Sequence, residues 1–409
     1  MLTRSGEVSL QDSRGLRMSI LFQPFTLNKL TVKNRFVHSA TSEGMATEQG
    51  EVTDAIIRRY RALAQGNIGL IIPGMLYVHP SGRGFPHGMG IHVDSLVPGL
   101  RRLADTVHEG GAKIAFQLMH AGRQTTRDLV GHTPWGPSST GHDPANFVKP
   151  KMMSEDEIHQ MIEAFGAAAR RAVAAGVDGI QIHAAHGYLV NQFLSPFFNR
   201  RGDAWGGSDE NRFRFLKEVF QRIRKEMPQG MPLLVKLSTD DHTPQRGVTP
   251  ELAARYAAWL GDLGVDGIEA SCGTTLYSPM SMSRGDVPVR ELLRSLRWWA
   301  RPAAQVLLRS MVGKFDIEQG YNLAAAKLIR QSTPELPIML VGGMRRLSHM
   351  EEIVEGRKAD FISMCRPFIR EPDLVNRMGS GSAAAAACIS CNKCLAAVAN
   401  DWQVRCYAG

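Results

Sequence analysis

The chain has 409 residues, 44% of them hydrophobic, enough for one large core or two ordinary ones. Its net charge is +9, but the Arg and Lys are scattered over runs such as FNRRGD and RFRFLKEVFQRIRKE, which argues against a nucleic-acid partner and for small anionic ligands. No apolar stretch approaches 18 residues, so neither a membrane-spanning helix nor a membrane partner is expected.

Residues 1–18 lack the apolar middle of a signal peptide and read as a disordered extension. Short apolar, β-branched runs then recur, each followed by a helical pattern. NRFVHSA (34–40) precedes a helix that starts at Thr53 or Asp54 and stops at Gly66. IGLIIPG (68–74) and KIAFQLM (113–119) follow. The next helix opens with Ser154 and Glu157 at capping-box spacing and closes on Gly176. After DGIQIHA (178–184) and PLLVKLS (232–238) comes a helix with Thr249 as cap and Pro250 at its first position. DGIEASC (266–272), PIMLVGG (337–343) and ADFISMC (359–365) complete a set of eight. Continuous apolar runs suit strands buried on both faces, and eight of them alternating with helices predict a (β/α)8 TIM barrel over 19–378. A doubly wound sheet is the alternative, but it more often carries a Gly-rich turn after its first strand, and NRFVHSATSEG has none.

Two stretches fall outside the repeat. Residues 274–322 are too long for a simple connection and read as an insertion over the barrel mouth, a lid. Residues 379–409 read as a linker, GSGSAAAAA, and a cysteine-rich C-terminal tail. Four of the six cysteines crowd into that tail, which is no secreted disulfide framework, so a cytoplasmic location is expected.

Barrel chemistry sits at the C-terminal strand ends. Those ends offer Thr41 and Ser42, Gly74, Gln117 and His120, His183 with His186 and Tyr188, Lys236, Cys272, Gly342 with Gly343, and Arg366. Glu269 is the lone carboxylate among them, which argues against divalent-metal hydrolysis and for a ligand rich in acceptor oxygens. Two glycines after the seventh run and an arginine after the eighth suit a phosphate, through bare N–H groups and a guanidinium. His-x-x-His-x-Tyr at a strand mouth points to catalysis, where a lone histidine would read as a satisfied polar group. Met119, His120 and Arg123 are expected to shape the pocket, and Cys272 to fill the core.

On LFQPFTLNKLTVKNRF, AFQLMHAGR, HAAHGYLVNQFLSP followed by GGSDENR, VGGM, SMCRPFIREPDL and CISCNKC, the chain resembles the old yellow enzyme family of FMN-dependent oxidoreductases. The likeness is to the subgroup of 2,4-dienoyl-CoA reductase and trimethylamine dehydrogenase, and it runs over residues 22–406. It implies that Ala40, Thr41 and Ser42 lie against the flavin ring, that Gly74 offers backbone contact, and that Gln117 bonds the pyrimidine edge. Lys236 stands where many members have arginine, near the ring's N1 and O2. Gly342, Gly343, Cys365 and Arg366 match the phosphate cradle. Trimethylamine dehydrogenase tethers its flavin to a cysteine near the position of Ser42; with no cysteine here, FMN is expected to be non-covalent. His183 and His186 match the donors to a substrate carbonyl oxygen, and Tyr188 the proton donor to the adjacent carbon.

The tail spacing, Cys388-x2-Cys391-x2-Cys394-x11-Cys406, suits a [4Fe–4S] cluster or an all-cysteine zinc site. In the resembling subgroup this position holds a cluster that exchanges electrons with an outside partner. A working cluster, a zinc staple and a remnant are the three readings. The expected reaction is hydride transfer from NAD(P)H through FMN to an activated C=C bond of a small molecule. Oxidation of an amine or betaine is the second enzyme reading, and a non-catalytic flavin carrier a third. The residues leave open the substrate, NADH against NADPH, and the oligomeric state, a homo-oligomer included.

Overall fold

The structure, a computed structural model, describes residues 19–143 and 147–408; the expected N-terminal extension lies outside them. Eight parallel strands close into a barrel: β1 (Phe36–His38), β2 (Leu70–Ile71), β3 (Lys113–Met119), β4 (Gly179–Ala184), β5 (Leu233–Ser238), β6 (Gly267–Ser271), β7 (Ile338–Val341) and β8 (Phe361–Met364). β8 pairs with β1, and β2 with β3, so the ring of eight closes on itself. All eight lie inside the runs expected from the sequence. A two-residue strand, Leu76–Tyr77, adds to the rim beside β3.

The helices begin and end where their caps dictate. Asp54–Gln65 has Thr53 as cap and turns Ile56, Ile57, Tyr60, Leu63 and Ala64 inward, the i, i+3, i+4 spacing of one helix face. Glu155–Ala174 carries the full Ser154–Glu157 capping box. Such a cap contributes about 1 kcal/mol. Pro250–Asp262 is capped by Thr249 as expected.

Inside the barrel the layers differ. At the N-terminal end an antiparallel hairpin, Phe25–Leu27 with Leu30–Val32, packs Leu27 and Val32 against Leu70, Leu234, Met339 and Phe361. Nearer the C-terminal end the lining turns polar. Register sets Lys236 opposite His183 on one side and Glu269 on the other, and Gln117 opposite Gln181. An apolar plug under a polar floor thus points all the interior polarity toward the mouth.

The insertion is ordered as short helices, among them Pro279–Met282, Val289–Ser295 and Arg301–Met311. The stretch expected as a linker does not hang free: Leu347 N–H donates to Ala384 O (2.9 Å) and Ala387 N–H to Glu371 Oε2 (2.6 Å). The tail helix Lys393–Ala399 packs on Val289–Ser295, and Asn400 Nδ2 donates to Glu291 O at 2.9 Å. The chain then returns to the exit of β1, where Val404 N–H donates to Glu43 O at 2.8 Å. Among the described residues no helix is long and apolar enough to cross a membrane.

Candidate active site

β4 delivers His183 to the mouth, and the turn after it delivers two more rings. His186 has φ +63° and Gly187 φ +77°. A left-handed backbone at a non-glycine residue costs free energy and needs support. Support comes from Gln124 Nε2 and Thr275 N–H, both donating to His186 O (2.8 and 3.1 Å). Gly187 N–H donates to Asn191 Oδ1 (2.6 Å), and Asn191 Nδ2 to the buried Asp241 (3.0 Å). Burial raises the carboxyl pKa of Asp241, while hydroxyl and amide donors pull it back.

The three rings form a compact corner. His183 lies 5.1 Å from His186 at 90°, and 4.8 Å from Tyr188 at 61°, centroid to centroid. His186 Nε2 is hydrogen-bonded with Ser271 Oγ at 2.7 Å. Among the described residues the buried His183 Nδ1 has no hydrogen-bond partner, which suits a bound ligand atom. Burial holds both imidazoles well below their usual pKa. The other imidazole and Lys236 add to this for His183, and Lys236 for His186. Both are therefore neutral. Tyr188 is pushed up to about 12 by burial, with Thr275 partly offsetting it, and stays a phenol. Two neutral imidazoles and a phenol can hold an oxygen and deliver a proton.

Behind this corner runs a buried polar row. Lys236 Nζ donates to Ser39 Oγ (2.8 Å) and lies 3.4 Å from Glu269 Oε2. Gln181 Nε2 donates to the same carboxylate (3.0 Å), and Gln117 Nε2 to Gln181 Oε1 (2.6 Å). A buried ion pair adds little stability once desolvation is counted; its effect here is to fix a cation beside His183.

Besides Gln117 on β3 and Lys236 on β5, the residues expected around a flavin fall on four adjoining strand exits, those of β7, β8, β1 and β2. Ala40, Thr41 and Ser42 are partly exposed, and Thr41 Oγ1 donates to Cys365 Sγ at 2.8 Å, linking the ends of β1 and β8. Gly74 N–H goes to Glu43 Oε1 (2.8 Å), so its carbonyl is what remains for a ligand. Gly342 and Gly343 have φ +137° and +70°, and a Cβ on Gly343 would stand 2.0 Å from Glu318 O. The space a side chain would take is filled by the chain's own backbone, so the turn is kept to glycine. Arg366 Nη1 donates to Arg284 O (2.7 Å) and Asn392 Oδ1 (2.6 Å); Nε and Nη2 are its donors left for an anion. A bare glycine turn, a guanidinium, a lysine and an amide around a half-open wall fit a phosphorylated, acceptor-rich planar ligand such as FMN.

Other expectations resolve differently. His120 uses Nε2 with Ser81 Oγ (2.9 Å) and Nδ1 with Gly122 N–H (3.0 Å), and burial lowers its pKa to about 3. It braces the loop after β3 and has no ring nitrogen to spare for a ligand. Cys272 is buried with its thiol pushed up to about 12, the inert filler expected. Ser271, Thr275, Glu43 and Asn392 were not singled out. Ser271 ends strand β6, one residue short of the end of the run DGIEASC; Thr275 and Asn392 act through contacts distant in sequence. A groove of about 690 Å³ between helices Glu155–Ala174 and Asp209–Arg224, lined by Glu163, Lys217 and Arg222 among others, lies on the outer wall away from this chemistry.

Cys388, Cys391, Cys394 and Cys406 are free thiols lining one small cavity beside Arg366 and Asn392. Arg345 donates to Cys388 O (3.1 Å) and Cys388 Sγ (3.7 Å) and to Ser390 Oγ (2.6 Å). Among the described residues no three of Cys, His, Asp and Glu close around one metal ion. Tetrahedral zinc needs that convergence. A four-iron cube takes one thiolate at each iron and sets them further apart. Burial pushes the Cys394 thiol up to about 12, a proton that metal would have to displace.

Residues 20–295 match the NADH:flavin oxidoreductase / NADH oxidase family. An NADPH dehydrogenase of Clostridium acetobutylicum is 31% identical over 355 residues, 87% of this chain and 93% of its own length. A 2-naphthoyl-CoA reductase solved with 2-naphthoyl-CoA superposes with TM-score 0.82 at 27% identity; the match covers 95% of this chain, which spans 57% of that protein. An old yellow enzyme homologue from Zymomonas mobilis superposes with TM-score 0.73 at 26% identity, covering 95% of this chain and 97% of that one.

Proposed function

The chain belongs to the NADH:flavin oxidoreductase / NADH oxidase family, and from that premise we propose that it reduces an electron-poor C=C bond conjugated to a carbonyl in a small molecule. The observation that carries the reading is the His183–His186–Tyr188 corner, with both imidazoles neutral, the phenol protonated and one ring nitrogen unpartnered. FMN, when bound, supplies the hydride it has taken from the nicotinamide donor. Gly342, Gly343 and Arg366 would hold its phosphate; Lys236, Gln117 and the Ala40–Thr41–Ser42 segment would hold its ring. His183 and His186 grip the carbonyl oxygen and stabilise the negative charge that grows there as the β carbon is reduced. Tyr188 delivers its proton to the α carbon.

The four tail cysteines would hold a [4Fe–4S] cluster open to a one-electron partner outside the chain. Support comes from four free thiols lining one cavity.

The test begins with anaerobic protein whose flavin has been reduced by NADH or NADPH. Enones should reoxidise it and simple amines should leave it reduced. Reduction of the oxidised protein by a quaternary or tertiary amine, with no reoxidation by enones, would replace the reading with amine oxidation. Heat or acid should release free FMN; flavin left on denatured protein contradicts non-covalent binding.

A further inference from the structure

The insertion carries a surface that the chemistry does not use. Between residues 292 and 315 stand five cations, Arg294, Arg297, Arg301, Arg309 and Lys314, and no acidic residue. The same segment exposes Trp298 (79%), Val306 (72%) and Leu307 (62%), with Trp299 and Val312 beside them in sequence. The Trp299 ring lies 5.0 Å from that of Phe147, tilted by 52°, and Phe147 is itself exposed. Helix Arg301–Met311 has no buried residue at all. An isolated helix of that length is marginal in water, so one with an apolar exposed side needs a cover.

Charge narrows the choice of cover. A second copy meeting this face through two-fold symmetry would set the cationic row against itself. The cover is therefore anionic. Shape narrows it further. Trp298 and Val306 stand out from the surface and do not lie in a cleft, so a rigid protein would need matching pockets, whereas fluid lipid closes around any convex group. Tryptophan favours the headgroup level of a bilayer, and arginine can run its stem along apolar surface while its guanidinium meets phosphate.

We propose that helix Arg301–Met311 and the Trp298–Trp299 pair before it lie on the surface of an anionic phospholipid bilayer. Trp298, Val306 and Leu307 enter the headgroup boundary, and Arg294, Arg297 and Arg301 meet lipid phosphates. No membrane partner was expected from the sequence because nothing in it spans a bilayer; a helix lying on the surface needs no spanning length.

The test is co-sedimentation of flavin-loaded protein with vesicles of phosphatidylcholine alone or mixed equally with phosphatidylglycerol. The mixed vesicles should carry the protein down, added salt should weaken this, and tryptophan emission should shift to the blue. Arg294→Gln, Arg297→Gln and Arg301→Gln together should weaken binding roughly 10²-fold, and Trp298→Ser should remove most of the spectral shift. FMN content should be unchanged in both variants, since none of these side chains lies at the strand exits that would hold the flavin. Failure to sediment, equal sedimentation without anionic lipid, or wild-type binding by the variants overturns the proposal. Soluble polyglutamate bound as tightly as the mixed vesicles, with no blue shift, assigns the surface to an acidic protein instead. A concentration-dependent dimer lost in Trp298→Ser assigns it to a second copy.

Discussion

Lys236 stands directly opposite His183 in the β5–β4 register, and its charge helps to keep that imidazole neutral. Its own counter-charge is Glu269, on the far side in β6. Lys236→Met should therefore strand a buried carboxylate and cost about 3–5 kcal/mol of stability. Lys236→Met with Glu269→Gln should recover much of that loss, because the second change removes the stranded charge. Thermal unfolding of the two variants decides it, and equal losses would show that the pair is not coupled.

The alkene half-reaction should be flat with pH across the neutral range. An ordinary imidazole gains a proton below about 6.5 and an ordinary phenol loses one above about 10. Here burial and Lys236 move the two imidazoles downward, and burial moves Tyr188 up to about 12. All three groups then keep the same protonation state from about pH 6.5 to 9.5. Stopped-flow reoxidation by an enone measures this directly. An inflection at the usual imidazole value would mean that a histidine titrates in the open.

Tyr188→Phe should separate the half-reactions. Flavin reduction by NAD(P)H should change little, while alkene reduction slows roughly 10²–10⁴-fold. His183→Ala with His186→Ala should lose binding of phenols, which as phenolates mimic the oxygen of the reduced substrate. Phenol titration monitored by flavin absorbance would show it, and undiminished binding would take the histidines out of the oxygen site.

Arg366 and Asn392 should act together on FMN. Arg366→Ala removes the charge-assisted partner of the phosphate. Asn392→Ala removes the acceptor that aims Arg366. Each should raise the FMN dissociation constant, by about 10–100-fold for Arg366→Ala, the range of a hydrogen bond to a charged group, and by less for Asn392→Ala. Wild-type FMN retention by Arg366→Ala would end the phosphate assignment.

Anaerobic protein should contain about four irons and four sulfides per chain, the composition of the cluster. Zinc without iron would favour a staple, and neither would favour a remnant. Should Cys391→Ala remove the iron yet leave every flavin-dependent rate intact, the cluster would have only a structural role.

The barrel was legible because its strands are buried on both faces. Such strands read as unbroken apolar runs, and Thr53, Ser154 and Thr249 mark helix starts through local hydrogen bonds. The corner of rings was legible for the same reason: His183, His186 and Tyr188 lie within six residues. What escaped depends on contacts far apart in sequence. The Ser271–His186 bond spans 85 positions and the Lys236–Ser39 bond 197. Gly74 reads only as a backbone contact until the Glu43 side chain is seen to occupy its N–H, leaving the carbonyl. The alanine-rich stretch reads as a linker by composition, yet its backbone groups are tied to the loop after β7 and to Glu371.

The bond from Val404 to Glu43 has a consequence for the order of events when the protein is made. The exit loop of β1 is synthesised long before Val404, the residue that pins it. Barrel closure by β8 on β1 carries the same delay. The wall that would meet the flavin is thus unfinished until Val404 has been made, and a nascent chain presents that half-built wall to its surroundings until then. Contacts of such long range form late and slowly. Cofactor capture is placed after the synthesis of β8 and Val404 by topology alone, and cutting the chain before Val404 should hinder acquisition of flavin more than it weakens flavin already held.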